Sequence, residues 1–147
     1  MVSMFAMTAS KFLAGKVCKW SLPVVEHPPG PYKLKRLLLP QGELANIYDA
    51  DEGIRFLTFL ELRADSLRGN HYHKVKEEFV YVIQGEVSLV LQDIETKECD
   101  RLQLCAGDLA LVRTKVAHAL RTVRAGQALE FSKTRFDPDD TYRHPVA

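Results

Sequence analysis

The stretch Glu77-Glu78-Phe79-Val80-Tyr81-Val82-Ile83-Gln84-Gly85-Glu86-Val87-Ser88-Leu89-Val90-Leu91-Gln92 decides the fold. Successive side chains of a strand point to opposite faces, so Phe79, Tyr81 and Ile83 share one face and Val80 and Val82 the other. Both faces are apolar, so both must be covered. In a small barrel one face fills the interior; the Phe79, Tyr81 and Ile83 row then needs a second layer, from the Pro-rich N-terminal segment or from a partner subunit, and a homodimer is expected on that ground. Around this stretch the same chemistry recurs in the runs Ile54–Ala64, Gly69–His73, Arg101–Leu104, Leu109–Arg113, His118–Val123 and Ala128–Lys133. Turn residues separate the runs, with Gln84-Gly85 dividing the quoted stretch and Ala125-Gly126-Gln127 dividing the last two runs. Spacings near the roughly 8–12 residues of sandwiches and barrels, with no helical pattern between runs, exclude a βαβ architecture. The predicted class is all-β: an antiparallel β-barrel or jelly roll.

Upstream, five of the seven prolines (Pro23, Pro28, Pro29, Pro31 and Pro40) fall in one stretch, and their missing N–H donors predict a wrap along the outside of the barrel rather than a helix. Before it, Met4–Trp20 reads as a short helix interrupted at Gly15, with the first ten residues disordered. Downstream, Asp137-Pro138-Asp139-Asp140-Thr141 reads as an N-cap and first turn, with no chemistry assigned. The expected division is residues 1–45 as extension and wrap, 46–136 as barrel and 137–147 as tail.

A chain of 147 residues fits one domain and buries enough surface to need no disulfide or metal staple. With 46% hydrophobic and 27% charged residues it is a globular composition. Twenty Lys and Arg against 19 Asp and Glu leave a formal charge of +1, which argues against nucleic-acid and membrane partners. No apolar run approaches the ~18 residues of a membrane span. Three cysteines (Cys18, Cys99 and Cys105), an odd count without a CxxC pair, and an N-terminus lacking signal-peptide features predict a reduced, cytoplasmic protein.

His71 and His73 stand two apart, so a strand sends both imidazoles to one side and Tyr72 to the other. Glu78 follows His73 by five residues, an odd offset, and Lys74-Val75-Lys76 must turn the chain before Glu78 can rejoin the histidines. His118 lies 40 residues further on, reachable only in a closed or sandwiched sheet. At these residues the chain resembles the cupins. Their first motif, HxH, four residues, Glu, six residues, Gly, is met by His71, His73, Glu78 and Gly85; the second appears as Gly107-Asp108 and, nine residues on, His118. The resemblance spans Ile54 to Lys133. It departs from the family pattern in its turns: Asp65 replaces a glycine before the first motif, Arg113-Thr114-Lys115 replaces a Pro-x-Gly turn, and Thr122 replaces an asparagine.

The resemblance implies a divalent metal held by His71, His73, Glu78 and His118. Three imidazoles and a carboxylate suit Zn, Fe, Mn, Ni or Cu. His27 and His144 are expected to play no ligand role. The string Arg68-Gly69-Asn70-His71-Tyr72-His73-Lys74 is similar to one in sugar-nucleotide ketoisomerases and capsule-sugar cupins. In metal-free members of that group the histidines move protons and the third His and the Glu are usually missing; the presence of both Glu78 and His118 favours a metallated relative, with His71, His73 and Glu78 the catalytic candidates, Glu78 as a ligand or freed as a base. Arg68 and Lys74 become candidate contacts to a substrate phosphate or carboxylate, against a plain reading as solvated turn residues. The small-molecule ligand expected is a sugar or sugar nucleotide, bound by an isomerase or epimerase. A non-catalytic binding or sensor module, a metal-dependent oxygenase or lyase, and a structural metal pin stand as alternatives. Two further rows have ordinary explanations: Arg55, Leu57, Phe59, Glu61 and Arg63 as an exposed salt-bridged face or a barrel mouth, and Tyr48, Tyr81 and Phe131 as core or as a frame for a sugar ring.

Overall fold

A computed structural model describes residues 7–26 and 32–147. Along them run β1 (Ser10–Phe12), β2 (Val17–Ser21), β3 (Lys35–Leu39), β4 (Gly42–Asn46), β5 (Phe56–Leu62), β6 (Leu67–Tyr72), β7 (Glu78–Asp93), β8 (Cys99–Cys105), β9 (Asp108–Val112), β10 (Val116–Ser132) and β11 (Tyr142–Arg143), with single 3-10 turns at Leu13–Gly15 and Pro138–Asp140. All strand pairs are antiparallel. The long strands β7 and β10 form the spine, paired from Val116 with Asp93 to Phe131 with Phe79. Each passes between two layers. In one, β7 meets β9 and β10 meets β5; in the other, β7 meets β8 and β10 meets β6, with β11 beyond. This is the expected jelly roll.

The chain does not reverse at Gln84-Gly85 or at Ala125-Gly126-Gln127, where the sequence suggests turns. Both lie inside continuous strands, β7 and β10. The two strands bend together there, with register slips between Thr122 and Ala128. At this crossing the backbones touch: a Cβ on Gly126 would fall on the Gln84 carbonyl oxygen, and one on Gly85, whose φ is +98°, would lie 2.5 Å from the Arg124 oxygen. Glycine here permits close approach rather than a turn.

The inner faces of the layers enclose one apolar cluster, in which Val80, Val82, Val87, Leu89, Leu91, Leu104 and Val116 are buried. The opposite face of β7 carries a second. Phe79 and Tyr81 are buried there with Trp20, Leu22, Leu34, Leu109 and Phe131, and Tyr48 and Ile83 pack against them. Phe79 and Phe131 stack at 5.0 Å, with Tyr48 edge-on to both. So the chain's own N-terminal segment covers the row for which a partner was a possible source; Tyr81 and Phe131 are core residues, and Tyr48, partly buried, packs against them.

The expected helix at Met4–Trp20 is absent from the described part of that stretch. Leu13 and Ala14 have φ of 50° and 54°, which no helix sustains, and Val17, Cys18 and Trp20 enter a strand paired with β9. Residues 1–6, part of the expected disordered start, and His27, Pro28, Pro29 and Pro31 lie outside the described residues. Within the wrap, β3 and β4 form a hairpin, and Val24 bridges to Arg36. The N-terminal and C-terminal segments both add strands to the sheet, β2 beside β9 and β11 beside β6. Asp137 does cap its turn, its carboxylate accepting from the Asp139 N–H. All three cysteines are unpaired. Among the described residues no helix is long and apolar enough to cross a membrane.

Candidate active site

The site lies where β6, the start of β7 and the start of β10 converge. His118 on β10 sits opposite His71 on β6, and the ladder slips at once beyond that pair. The extra residue is Asn70, in the left-handed region at φ 60°, so a bulge re-aims the strand beside His71. Past β6 the chain turns through Lys74-Val75-Lys76, and Glu78 rejoins the histidines as the sequence spacing requires. One donor atom from each of His71, His73, Glu78 and His118 lies within 4.8 Å of the others. His73, Glu78 and His118 are buried and His71 is half-buried.

Hydrogen bonds set the roles of the ring nitrogens. His73 Nδ1 lies 2.7 Å from the Asp140 carbonyl oxygen and His118 Nδ1 3.0 Å from that of Val116. A carbonyl only accepts, so both Nδ1 atoms carry hydrogen. The Nε2 atoms face the carboxylate of Glu78, at 3.2 Å from Oε1 and 2.9 Å from Oε2. A neutral ring would set a lone pair against each oxygen; either the rings are charged or a cation lies between them. Four donors so arranged, with two Nε2 atoms oriented from behind by backbone carbonyls, fit a divalent metal.

The electrostatics agree with this geometry. Burial works to raise the Glu78 carboxyl, but the imidazoles of His118 and His73 and the charge of Lys76 outweigh it and hold it well below the ordinary carboxylate range. Burial likewise opposes the charge on His118, and its bond to Glu78 prevails, raising it. His71 is pushed down to about 4, by burial first and by its neighbour His118 second. It therefore offers a free lone pair at neutral pH.

Beside the cluster opens a cavity of about 400 Å³, with His71, His73 and Glu78 on one side and Phe56, Phe136 and Pro138 on another. Two charged groups that the sequence did not single out complete the lining. Lys76, 5% exposed, places Nζ 2.9 Å from Glu78 Oε1 and 4.1 Å from the centre of the Phe56 ring. Glu130 on β10 is pushed up to about 7 by burial and by the charge of Glu78. A third, Asp140, is buried behind the Lys74–Lys76 loop. Its signal was present in the Asp137–Thr141 turn, but its partners are more than 60 residues away.

Arg68 and Lys74 do not line this cavity. The Arg68 guanidinium donates to the Glu61 carbonyl at 3.1 Å, beside a separate depression with Ser66 and Leu67. Lys74 lays its ammonium over the Tyr142 ring at 4.4 Å. The row from Arg55 to Arg63 is the exposed face, with an Arg63–Glu61 pair at 3.4 Å. His144 bonds the Gln92 side chain at 2.7 Å and stands apart from the cluster.

The fold is a cupin-like jelly roll, with a cluster of three histidines and a glutamate where β6, β7 and β10 converge. The family described as Polysaccharide biosynthesis C-terminal domain matches residues 40–141, and the chain belongs to it. No curated protein matches significantly. Among solved structures, the RmlC epimerase of Mycobacterium tuberculosis superposes with a TM-score of 0.71 at 14% identity, covering 93% of this chain and 72% of that one. A dTDP-6-deoxy-D-glucose-3,5-epimerase of Legionella pneumophila, in complex with dTDP-4-keto-L-rhamnose, gives 0.70 at 14%, covering 92% and 76%. A 3,4-ketoisomerase of Helicobacter canadensis gives 0.66 at 15%, covering 76% and 86%. At these identities the likeness is one of fold.

Proposed function

We propose that this protein is a metal-dependent enzyme that moves a proton at a carbon next to a carbonyl in a sugar or sugar-nucleotide substrate. The observation that carries the reading is the cluster of His71, His73, Glu78 and His118 beside a cavity whose other charged lining groups are Lys76 and Glu130. A polysaccharide-biosynthesis family and structural neighbours that are epimerases and ketoisomerases support the carbohydrate class.

The four cluster residues would hold the ion, which when bound supplies Lewis acidity toward a carbonyl or hydroxyl oxygen. The chain's own groups do the rest. Phe56 and Phe136, stacked at 5.8 Å, give a sugar ring an apolar wall. Lys76 presents the lining cation, a donor for the substrate oxygen on which negative charge grows. Glu130 stands within the cavity as the carboxyl that exchanges a proton with the substrate carbon or hydroxyl. Lys76, rather than Arg68 or Lys74, is the cation in reach of a bound ring.

Elemental analysis of the purified protein tests the metal, with about one divalent ion per chain expected and most of it lost in His73→Ala while the fold persists. Unchanged metal content in that variant places the ion elsewhere. A thermal-shift screen of sugar nucleotides, simple sugars, keto acids and diketones, with and without metal, tests the substrate class. Turnover of a stabilising sugar nucleotide separates enzyme from binding module. A response confined to keto acids or diketones overturns the carbohydrate reading in favour of an oxygenase or lyase.

A further inference from the structure

The loop Lys74-Val75-Lys76 must hold a sharp course for His73 and Glu78 to face each other, and its backbone N–H groups are turned inward. They converge on one carboxylate. Asp140 Oδ1 accepts from Lys74 N at 2.8 Å, Oδ2 accepts from Lys76 N at 2.9 Å, and Val75 N lies 3.2 Å from both oxygens. The same residue's carbonyl accepts from His73 Nδ1 at 2.7 Å. One side chain, 7% exposed, thus ties the loop by its backbone while its main chain fixes the ring at the loop's start.

From these contacts, and resting on the reading of the cluster given above, we infer that Asp140 is a positioning residue of the site, and that the C-terminal segment carrying it is a working part of the enzyme. The segment is anchored on both sides of Asp140. Before it, Asp137 caps the turn; after it, Tyr142 and Arg143 pair with Tyr72 and His71, and the Tyr142 ring stacks on Tyr72 at 5.1 Å. Further on, the side chain of Asn70, the bulge residue beside His71, accepts from the N–H groups of Val146 and Ala147. Both imidazoles of the HxH pair are therefore held in register by the same C-terminal segment. Asp140 does not line the cavity. Its main-chain carbonyl holds His73 Nδ1–H, which leaves Nε2 directed at the cluster, and its side chain, by tying the Lys74–Lys76 backbone, keeps that carbonyl and the ring in register.

The test uses 15N-labelled full-length protein and two variants, Asp140→Ala and Asp140→Asn. In the wild type the His73 Nδ1–H resonance is expected downfield and slow to exchange. Asp140→Ala should speed that exchange at least tenfold; Asp140→Asn, which keeps one acceptor oxygen but turns an amide donor toward the loop, should fall between. Cobalt(II) titration followed by visible absorption supplies the second readout, with affinity lowered about tenfold or more in Asp140→Ala and the absorption band altered. If Asp140→Ala does not fold, Asp140→Asn decides by the same two measurements. A folded variant whose His73 N–H exchange and cobalt band both match the wild type overturns the inference. A wild type that takes up no cobalt overturns the metal reading instead, and the N–H exchange then decides the role of Asp140 alone.

Discussion

Lys76 competes for the carboxylate a metal needs. Its ammonium is 2.9 Å from Glu78 Oε1 and almost wholly buried, so in the metal-free protein it joins His73 and His118 in offsetting the charge of the buried carboxylate. A divalent ion on the same carboxylate meets a positive neighbour. Lys76→Met should therefore raise metal affinity about tenfold or more, measured by chelator competition, while lowering the stability of the metal-free protein by about 3 kcal/mol as Glu78 loses a buried partner. Affinity that falls in the variant would mean that Lys76 supports the ion rather than opposing it. The four cluster residues were legible because their spacing follows a known motif, and strand alternation alone already put His71 and His73 on one side. Lys76, Glu130 and Asp140 were not legible. Lys76 sits in the Lys74-Val75-Lys76 stretch read only as the turn that returns Glu78 to the histidines, Glu130 within an apolar run, and Asp140 in a segment read as tail; each has its role through contacts made only once distant strands have paired.

At the scale of elements, β7 and β10 carry the design, and the glycines at their crossing show where pattern reading stops. Alternation of Phe79, Val80, Tyr81 and Val82 identified a strand buried on both faces, and burial of Val82 inside and Tyr81 outside agrees. Gly85 and Gly126 were read as turns because glycine marks both reversals and close backbone approach, and local sequence does not separate them. The short N-terminal elements were missed for a related reason: Val17, Cys18 and Trp20 become a strand only because β9 offers them an edge. Gly126→Ala tests the crossing. Its added methyl would overlap the Gln84 carbonyl, backbone that cannot swing aside. The expected cost is about 3 kcal/mol, read as a lower urea midpoint. An unchanged midpoint would show that the two strands can separate there without loss.

Over the whole molecule, pH dependence in the metal-free state comes from groups of opposite sign. His71, lowered from 6.5 to about 4, refuses a proton that the unfolded chain accepts, so its contribution is lost as pH falls through that window. Glu130, raised from 4.5 to about 7, binds a proton that the unfolded chain has given up, so its contribution grows as pH falls from about 7 to 4.5. Stability between pH 6.5 and 4.5 should be nearly flat, then fall as Asp93 and Asp140, both held below the ordinary Asp value of 3.8, are finally protonated. In Glu130→Gln only the His71 effect remains in the upper window, and the urea midpoint should decline steadily from pH 6.5 to 4; a flat profile in that variant would refute the assignment. Association is a separate matter, since the Phe79 and Tyr81 row is covered from within. One exposed apolar pair lies on β5, where Leu57 and Phe59 are 63% and 62% exposed. Among the described residues β5 pairs with β10 alone, which leaves its outer edge with backbone groups that no strand partners. A second copy adding its own β5 antiparallel would satisfy those groups and shelter both side chains by one two-fold contact. Sedimentation should then give twice the chain mass at micromolar concentration, and Leu57→Lys with Phe59→Lys should give the single-chain mass. A wild-type monomer, or a dimer indifferent to the double substitution, would exclude this edge as the interface.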